Sequence, residues 1–128
     1  MLCNEIYASA LRLLGESVTE GENEDYKERA PYLIASFCGA AKSTDKAWRL
    51  SMALEPQQSW NCVCIPLEND FPLSDRFVSA ASFYLAAMLV IDSDEALSDK
   101  LYALFCSEMS EINGEIPAII EAISNRYF

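Results

Sequence analysis

The chain has 128 residues, of which 52% are hydrophobic and 11% aromatic. A chain of this length buries about two thirds of its unfolded surface, so the composition predicts one folded domain over residues 1–128 and excludes a disordered tail. With 9 basic and 20 acidic residues the net charge is −11, which argues against binding to nucleic-acid phosphates or anionic lipid. The chain has no histidine, which excludes Ser-His-Asp and Cys-His catalysis and histidine-ligated metals.

The first predicted element is an amphipathic helix over about residues 4–14, with Asn4 as its cap and Gly15 as its end. Its apolar residues recur at helical spacing: Ile6, Ala10, Leu13 and Leu14. The amino terminus lacks a basic region and carries Glu5, so it is predicted to be this helix rather than a signal peptide. Residues 16–22 are predicted to form a solvated loop.

A second helix is predicted to begin at Asn23 and to keep its apolar period as far as Ala41. Pro31 lies inside it and lacks a backbone donor, which predicts a kink or a restart of the helix. The segment 43–45 (Ser-Thr-Asp) has the residue types of a helix cap, so a third, short helix is predicted after it.

The segment of about residues 55–73 is predicted to be irregular, because it holds three of the five prolines and shows no helical period. Residues 60–65 within it have the alternation of a short extended piece. Long connections without a helix are uncommon in compact domains and tend to be functional. We therefore treat the segment as a candidate contact surface, with Trp60, Phe71 and Leu73 as candidate partner contacts.

A central helix over about residues 75–91 is predicted next, and it is apolar on nearly all sides, as a helix surrounded by others must be. Its uncharged run, residues 77–91, is shorter than the 18 to 20 or so residues that span a bilayer. The sequence therefore predicts a buried core helix and no membrane contact.

Two further helices complete the prediction. The first of these helices is predicted from Asp92 and Glu95, which have the spacing of a capping box, and is predicted to end at Asn113 and Gly114. The second begins near Pro117 and must dock either on this bundle or on a neighbouring subunit. Its apolar stripe supplies the remaining candidate contacts: Ile116, Ile119, Ile120, Ile123 and Tyr127. The predicted fold class is thus all-α, a compact bundle of four to six helices around a central helix.

The sequence offers no residues for catalysis or for a cofactor. Cys62 and Cys64 are the only cysteines close together, whereas a tetrahedral metal site needs four ligands. The five cysteines are odd in number and are predicted to be reduced thiols, mostly packed in the core, as is usual for a cytosolic protein. We expect a protein that is not an enzyme and binds neither metal nor cofactor.

An acidic stretch follows the first helix. It could mimic DNA, line a channel through which DNA slides, or simply keep the protein soluble. Its carboxylates are Glu16, Glu20, Glu22, Glu24, Asp25 and Glu28.

Four segments resemble the small helical head-tail connector (adaptor, head-completion) proteins of tailed phages and of prophages in Gram-positive bacteria. They are ENEDYKERAPYLIASFC, DFPLSDRFVSAASFYLAAMLVID, ALSDKLYALFCSEMSEI and EIPAIIEAISNRY. The resemblance covers about residues 5–127 and rests on helical hydrophobic patterns around Phe71-Pro72-Leu73, with no catalytic signature.

The resemblance implies a structural, non-enzymatic virion component. Such a protein assembles in the host cytoplasm as a ring below the portal, contacts portal and tail-completion proteins, and remains at the virion head-tail junction. The cysteine content and residues 48–64 depart from the family pattern. The alternative is a cytoplasmic acidic helical interaction module, such as a DNA-mimic regulator.

Overall fold

The computed structural model describes residues 1–16 and 23–117, and within these ranges the protein is all-α, which confirms the predicted fold class. The four helices are α1 (Cys3–Leu13), α2 (Glu24–Ser51), α3 (Val78–Leu89) and α4 (Glu95–Glu115). A single 3-10 turn, Asp75–Phe77, precedes α3. The only β pairing in the described ranges is an isolated antiparallel bridge between Leu2 and Asp70.

The second helix is longer than predicted. It continues for 28 residues through Pro31, so the expected restart and the separate third helix are wrong. Asp45 does not cap a new helix; its side chain is fully buried and binds a later segment of the chain. Packing against other elements therefore outweighs the local signals for a break at Pro31 and at residues 43–45.

Helix α3 is the centre of the core, as predicted, and packs against α1, α2 and α4. It is shorter than the predicted range of 75–91, because residues 75–77 form the 3-10 turn and the helix ends at Leu89. Alanines make up much of its buried surface, which lets the neighbouring helices approach closely. Arg29 of α2 donates to the carbonyl oxygen of Leu89 at 2.9 Å and so satisfies a group at the helix end.

The N-cap of helix α4 lies two residues later than predicted. Asp94, rather than Asp92, accepts a hydrogen bond from the backbone of Leu97 at 3.1 Å. The helix passes the expected stop at Asn113 and ends at Glu115. Two ion pairs hold this end to the start of α3: Arg76 contacts Glu108 at 2.7 Å and Glu115 at 2.9 Å.

Buried apolar side chains from all four helices and from the segment between α2 and the 3-10 turn form one cluster. None of the helices in the described ranges is long and apolar enough to cross a membrane. Of the cysteines, Cys3 and Cys38 are buried as predicted, but Cys62 and Cys106 are exposed. The exposure of Cys62 and Cys106 was not predicted, because apolar neighbours in the sequence do not determine which side of a loop or helix faces the core.

Candidate contact surface

The segment between α2 and the 3-10 turn contains no helix, in agreement with the predicted irregular segment. The segment extends along α2 and then returns, so both of its ends contact the same side chain. Arg49 of α2 donates to the carbonyl oxygen of Glu55 at 2.9 Å and to that of Pro72 at 3.1 Å. Residues 55–72 therefore form an Ω-loop, a loop whose ends lie close together.

The base of the Ω-loop is organised by a buried carboxylate on α2. Asp45 accepts hydrogen bonds from Arg49 Nε at 2.8 Å, from Gln57 Nε2 at 2.8 Å and from the backbone N–H of Ser74 at 2.9 Å. Burial acts to raise the pKa of Asp45, but the hydrogen bonds from Ser74, Gln57 and Arg49 outweigh it and hold that pKa below its usual value. Asp45 is thus a charged anchor for both ends of the loop.

The first half of the loop, residues 55–64, is the outgoing limb. Gln57 also donates to the carbonyl oxygen of Lys42 at 2.8 Å, and the Lys42 ammonium lies 5.4 Å from the centroid of the Trp60 ring. Asn61 Oδ1 accepts hydrogen bonds from the backbone N–H groups of Val63 and Cys64, which makes a tight turn at the tip. The tip faces solvent, since Val63 is 70% exposed.

The second half, residues 65–72, is the returning limb. The backbone N–H of Ile65 donates to the carbonyl oxygen of Pro31 at 3.1 Å. The limb then pairs with the amino terminus, where Cys3 N–H donates to Asn69 and Phe71 N–H donates to the carbonyl of Met1. Its buried apolar side chains, with Leu73 just after it, belong to the core: Ile65, Leu67, Phe71 and Leu73.

A cavity of about 810 Å³ lies between the two limbs, with Leu2 and Arg49 also in its lining. Three carboxylates line it, those of Glu55, Glu68 and Asp70. Arg49 is the one basic residue in the lining, and its guanidinium is already engaged by the loop base and Asp45. The cavity is therefore acidic.

Three of the eight candidate contacts predicted from sequence are buried within the chain. Phe71, Leu73 and Ile116 are at most 7% exposed, which argues against a role as partner contacts. The Phe71 ring packs against Phe37 with centroids 6.3 Å apart. These residues were chosen for apolar character, which describes a core residue equally well.

Trp60 is the one candidate contact that stays half-buried at the surface, and its indole N–H has no hydrogen-bond partner. The remaining contacts lie outside the described residues: Ile119, Ile120, Ile123 and Tyr127. Of the acidic stretch, the structure describes four exposed residues: Glu16, Glu24, Asp25 and Glu28. Glu20 and Glu22 lie outside the described ranges.

Sequence reasoning missed the anchor formed by Asp45, Arg49 and Gln57. The spacing of Asp45 and Arg49, four residues apart on a helix, is a signal for an ion pair. Nothing in the sequence shows that a loop residue such as Gln57 returns to that pair. The exposed apolar side chains beside the loop base were also missed: Leu50, Met52 and Leu54.

The described residues contain no group of three or more cysteine or carboxylate side chains placed to hold a metal ion. No protein-family model matches the sequence, and no curated protein or solved structure matches it either.

Proposed function

We propose that the protein is a non-enzymatic structural subunit of a phage or prophage head-tail connector, which forms a ring below the portal. The observation that carries the proposal is the Ω-loop. It is anchored at its base to a rigid helix by Asp45 and Arg49, and it presents an exposed tip. A loop held on a rigid scaffold in this way is typical of a contact surface.

The surface around the loop also supports an assembly role. The apolar side chains of Leu50, Met52 and Leu54 lie where α2 leads into the loop, and each is at least half exposed. Together with Val63 at the tip, they make four exposed apolar side chains in or beside the loop, of the kind that an interface would cover. In a ring each subunit contacts its neighbours through two different surfaces, so this region would supply one of them.

The acidic start of α2 fits the same role. Glu24, Asp25 and Glu28 are exposed there, and among the described residues only Asp25 has an ion-pair partner, Arg29 at 3.0 Å. In a channel through which DNA passes, such carboxylates repel the phosphates and prevent the DNA from sticking. The same carboxylates are also the observation that favours the alternative, an acidic module that binds a basic protein surface in the cytoplasm.

Co-purification with the portal protein encoded in the same genome tests the proposal. We expect the wild-type chain to be retained by immobilised portal, and Val63→Asp, which places a charge at the loop tip, to reduce retention at least tenfold. Leu104→Asp is the matched control, because Leu104 is 48% exposed on α4 and lies outside the loop. Wild-type protein that portal never retains would contradict the connector role and leave the acidic module as the better account.

A further inference from the structure

The two limbs of the Ω-loop are held in different ways. The returning limb is held by buried apolar side chains and by backbone hydrogen bonds to the amino terminus and to Pro31. The outgoing limb has no backbone–backbone hydrogen bond to any other described element; the first one along the loop is donated by Ile65. Its side chains are mostly exposed, so opening this limb would expose little additional apolar surface.

Four side-chain contacts hold the outgoing limb against α2. Gln57 uses both amide hydrogens, one on the Lys42 carbonyl and one on the Asp45 carboxylate. The Trp60 ring lies beside the Lys42 ammonium, and Arg49 binds the Glu55 carbonyl. Gln57 is the only side chain of the limb that donates hydrogen bonds to α2 among the described residues.

We propose that the outgoing limb, residues 55–64, is a flap that opens away from α2 while the returning limb and the four helices stay folded. Gln57 is its latch, and the peptides around Leu54 and Ile65 are its hinges, because backbone hydrogen bonds fix Leu54 to Arg49 and Ile65 to Pro31. The flap forms one wall of the acidic cavity, so opening it widens that cavity and exposes the Asp45 carboxylate to solvent. The inference does not depend on the connector role.

The two limbs differ in the contacts that each breaks when it opens. Opening the flap breaks a few polar contacts that water can replace, together with the half-buried packing of Trp60. Opening the returning limb exposes three buried apolar side chains, those of Ile65, Leu67 and Phe71, which ties it to unfolding of the whole core. The two limbs should therefore open in separate events.

Amide hydrogen exchange on the full chain tests half of the proposal, because the hydrogen-bonded amides of the returning limb, those of Ile65 and Phe71, should exchange as slowly as those of α3. Because the outgoing-limb amides make no hydrogen bonds to the described backbone, the discriminating readout is limited digestion of the native chain with chymotrypsin, with cleavage sites assigned by mass spectrometry. We expect cleavage after Trp60 in the outgoing limb to be at least about a hundredfold faster than cleavage after Leu67 in the returning limb.

Gln57→Ala should raise the rate of cleavage after Trp60 about tenfold, the loss expected for one to two net hydrogen bonds, and leave cleavage after Leu67 unchanged. Gln58→Ala is the matched control, because Gln58 is exposed and makes no hydrogen bond to the described residues.

Lys42→Ala provides a second variant if Gln57→Ala unfolds the chain. It removes the cation beside Trp60 but keeps the carbonyl that Gln57 binds, and its exposed position makes it safe for folding. It too should accelerate cleavage only in the outgoing limb. Cleavage after Trp60 as slow as cleavage after Leu67, or variants that accelerate both cleavages equally, would overturn the flap.

Discussion

Asp45 is the residue on which the geometry of the Ω-loop depends. A fully buried carboxylate costs free energy of desolvation, and here three hydrogen bonds from three different parts of the chain offset that cost. Together with Arg49, which binds the backbone carbonyls at both ends of the loop, Asp45 determines where the loop lies more than it adds to stability.

Replacing Asp45 by Asn should lower the free energy of unfolding by about 2 to 4 kcal/mol, because the new amide group faces the Arg49 and Gln57 donors. The native pKa of Asp45 is lowered, so its contribution is present above the ordinary value of 3.8 and is lost as the pH falls through the native pKa. Denaturant melts from pH 7 to pH 2 should show the wild type losing this increment below pH 4, while Asp45→Asn lacks it throughout.

Asp92→Asn is the control for this measurement, since Asp92 is exposed and unpartnered. It should leave both the stability at pH 7 and the acid profile unchanged. An Asp45→Asn variant as stable as wild type would show that the loop is held by its apolar side chains alone.

The cysteines provide a second prediction for single residues. Cys62 and Cys106 are exposed, whereas burial raises the pKa of Cys3 to about 11 and raises that of Cys38 further. The thiolate is the reactive form, so at pH 8 an alkylating reagent should label Cys62 and Cys106 in the folded protein. Mass spectrometry should find Cys3 and Cys38 labelled only after unfolding. Labelling of Cys38 under native conditions would contradict the packing described here.

At the scale of elements, the ends of α1 and α2 show the same local structure with different residues. Both helices end in a Schellman motif, with Glu16 N–H donating to Leu11 and Leu54 N–H donating to Arg49. The left-handed position is occupied by Gly15 at φ 72° in α1 and by Ala53 at φ 54° in α2. Only glycine adopts this conformation without strain.

The two positions should therefore respond with opposite signs to exchange of glycine and alanine. Ala53→Gly should raise the free energy of unfolding by up to about 1 kcal/mol, and Gly15→Ala should lower it by about 1 to 2 kcal/mol. Chemical denaturation measures both. Destabilisation by Ala53→Gly would show that the backbone of Ala53 is not strained in the folded protein in solution.

This pair also shows how far the sequence could predict the elements. Gly15 correctly predicted the end of α1, but α2 ends without a glycine, and the caps proposed inside it were wrong. The apolar period of α2 was predicted correctly, because burial of one face determines the period. In α1 the predicted face was only partly correct, since Leu13 is exposed and Leu11 is buried. The end of α2 and the path of the Ω-loop depend on contacts distant in sequence, such as Gln57 with Asp45, which no local pattern contains.

At the scale of the whole molecule, charge is the dominant property. The described surface offers little to nucleic acid, because the only basic cluster in the sequence, Lys42, Lys46 and Arg49, is largely engaged. Arg49 pairs with Asp45, and Lys42 lies beside Trp60, which leaves Lys46. A net charge of −11 opposes counterion-releasing contacts with DNA phosphates.

We therefore predict no binding to duplex DNA at physiological salt. A gel-shift titration should show free DNA at all protein concentrations up to tens of micromolar. Salt-sensitive binding in the micromolar range would contradict both the connector and the acidic-module hypotheses, and loss of that binding in Lys46→Glu would locate the basic site.

The apolar stripe at Ile119, Ile120, Ile123 and Tyr127 remains a sequence prediction, because it lies outside the described residues.

The ring is likewise a proposal about the whole molecule, and a measurement of mass in solution tests it most directly. Light scattering on chromatographed mixtures of this chain and its portal should show a complex whose mass requires many copies of the chain per portal ring, with a ring visible by electron microscopy. A chain that remains monomeric at all concentrations, with and without portal, would contradict the account.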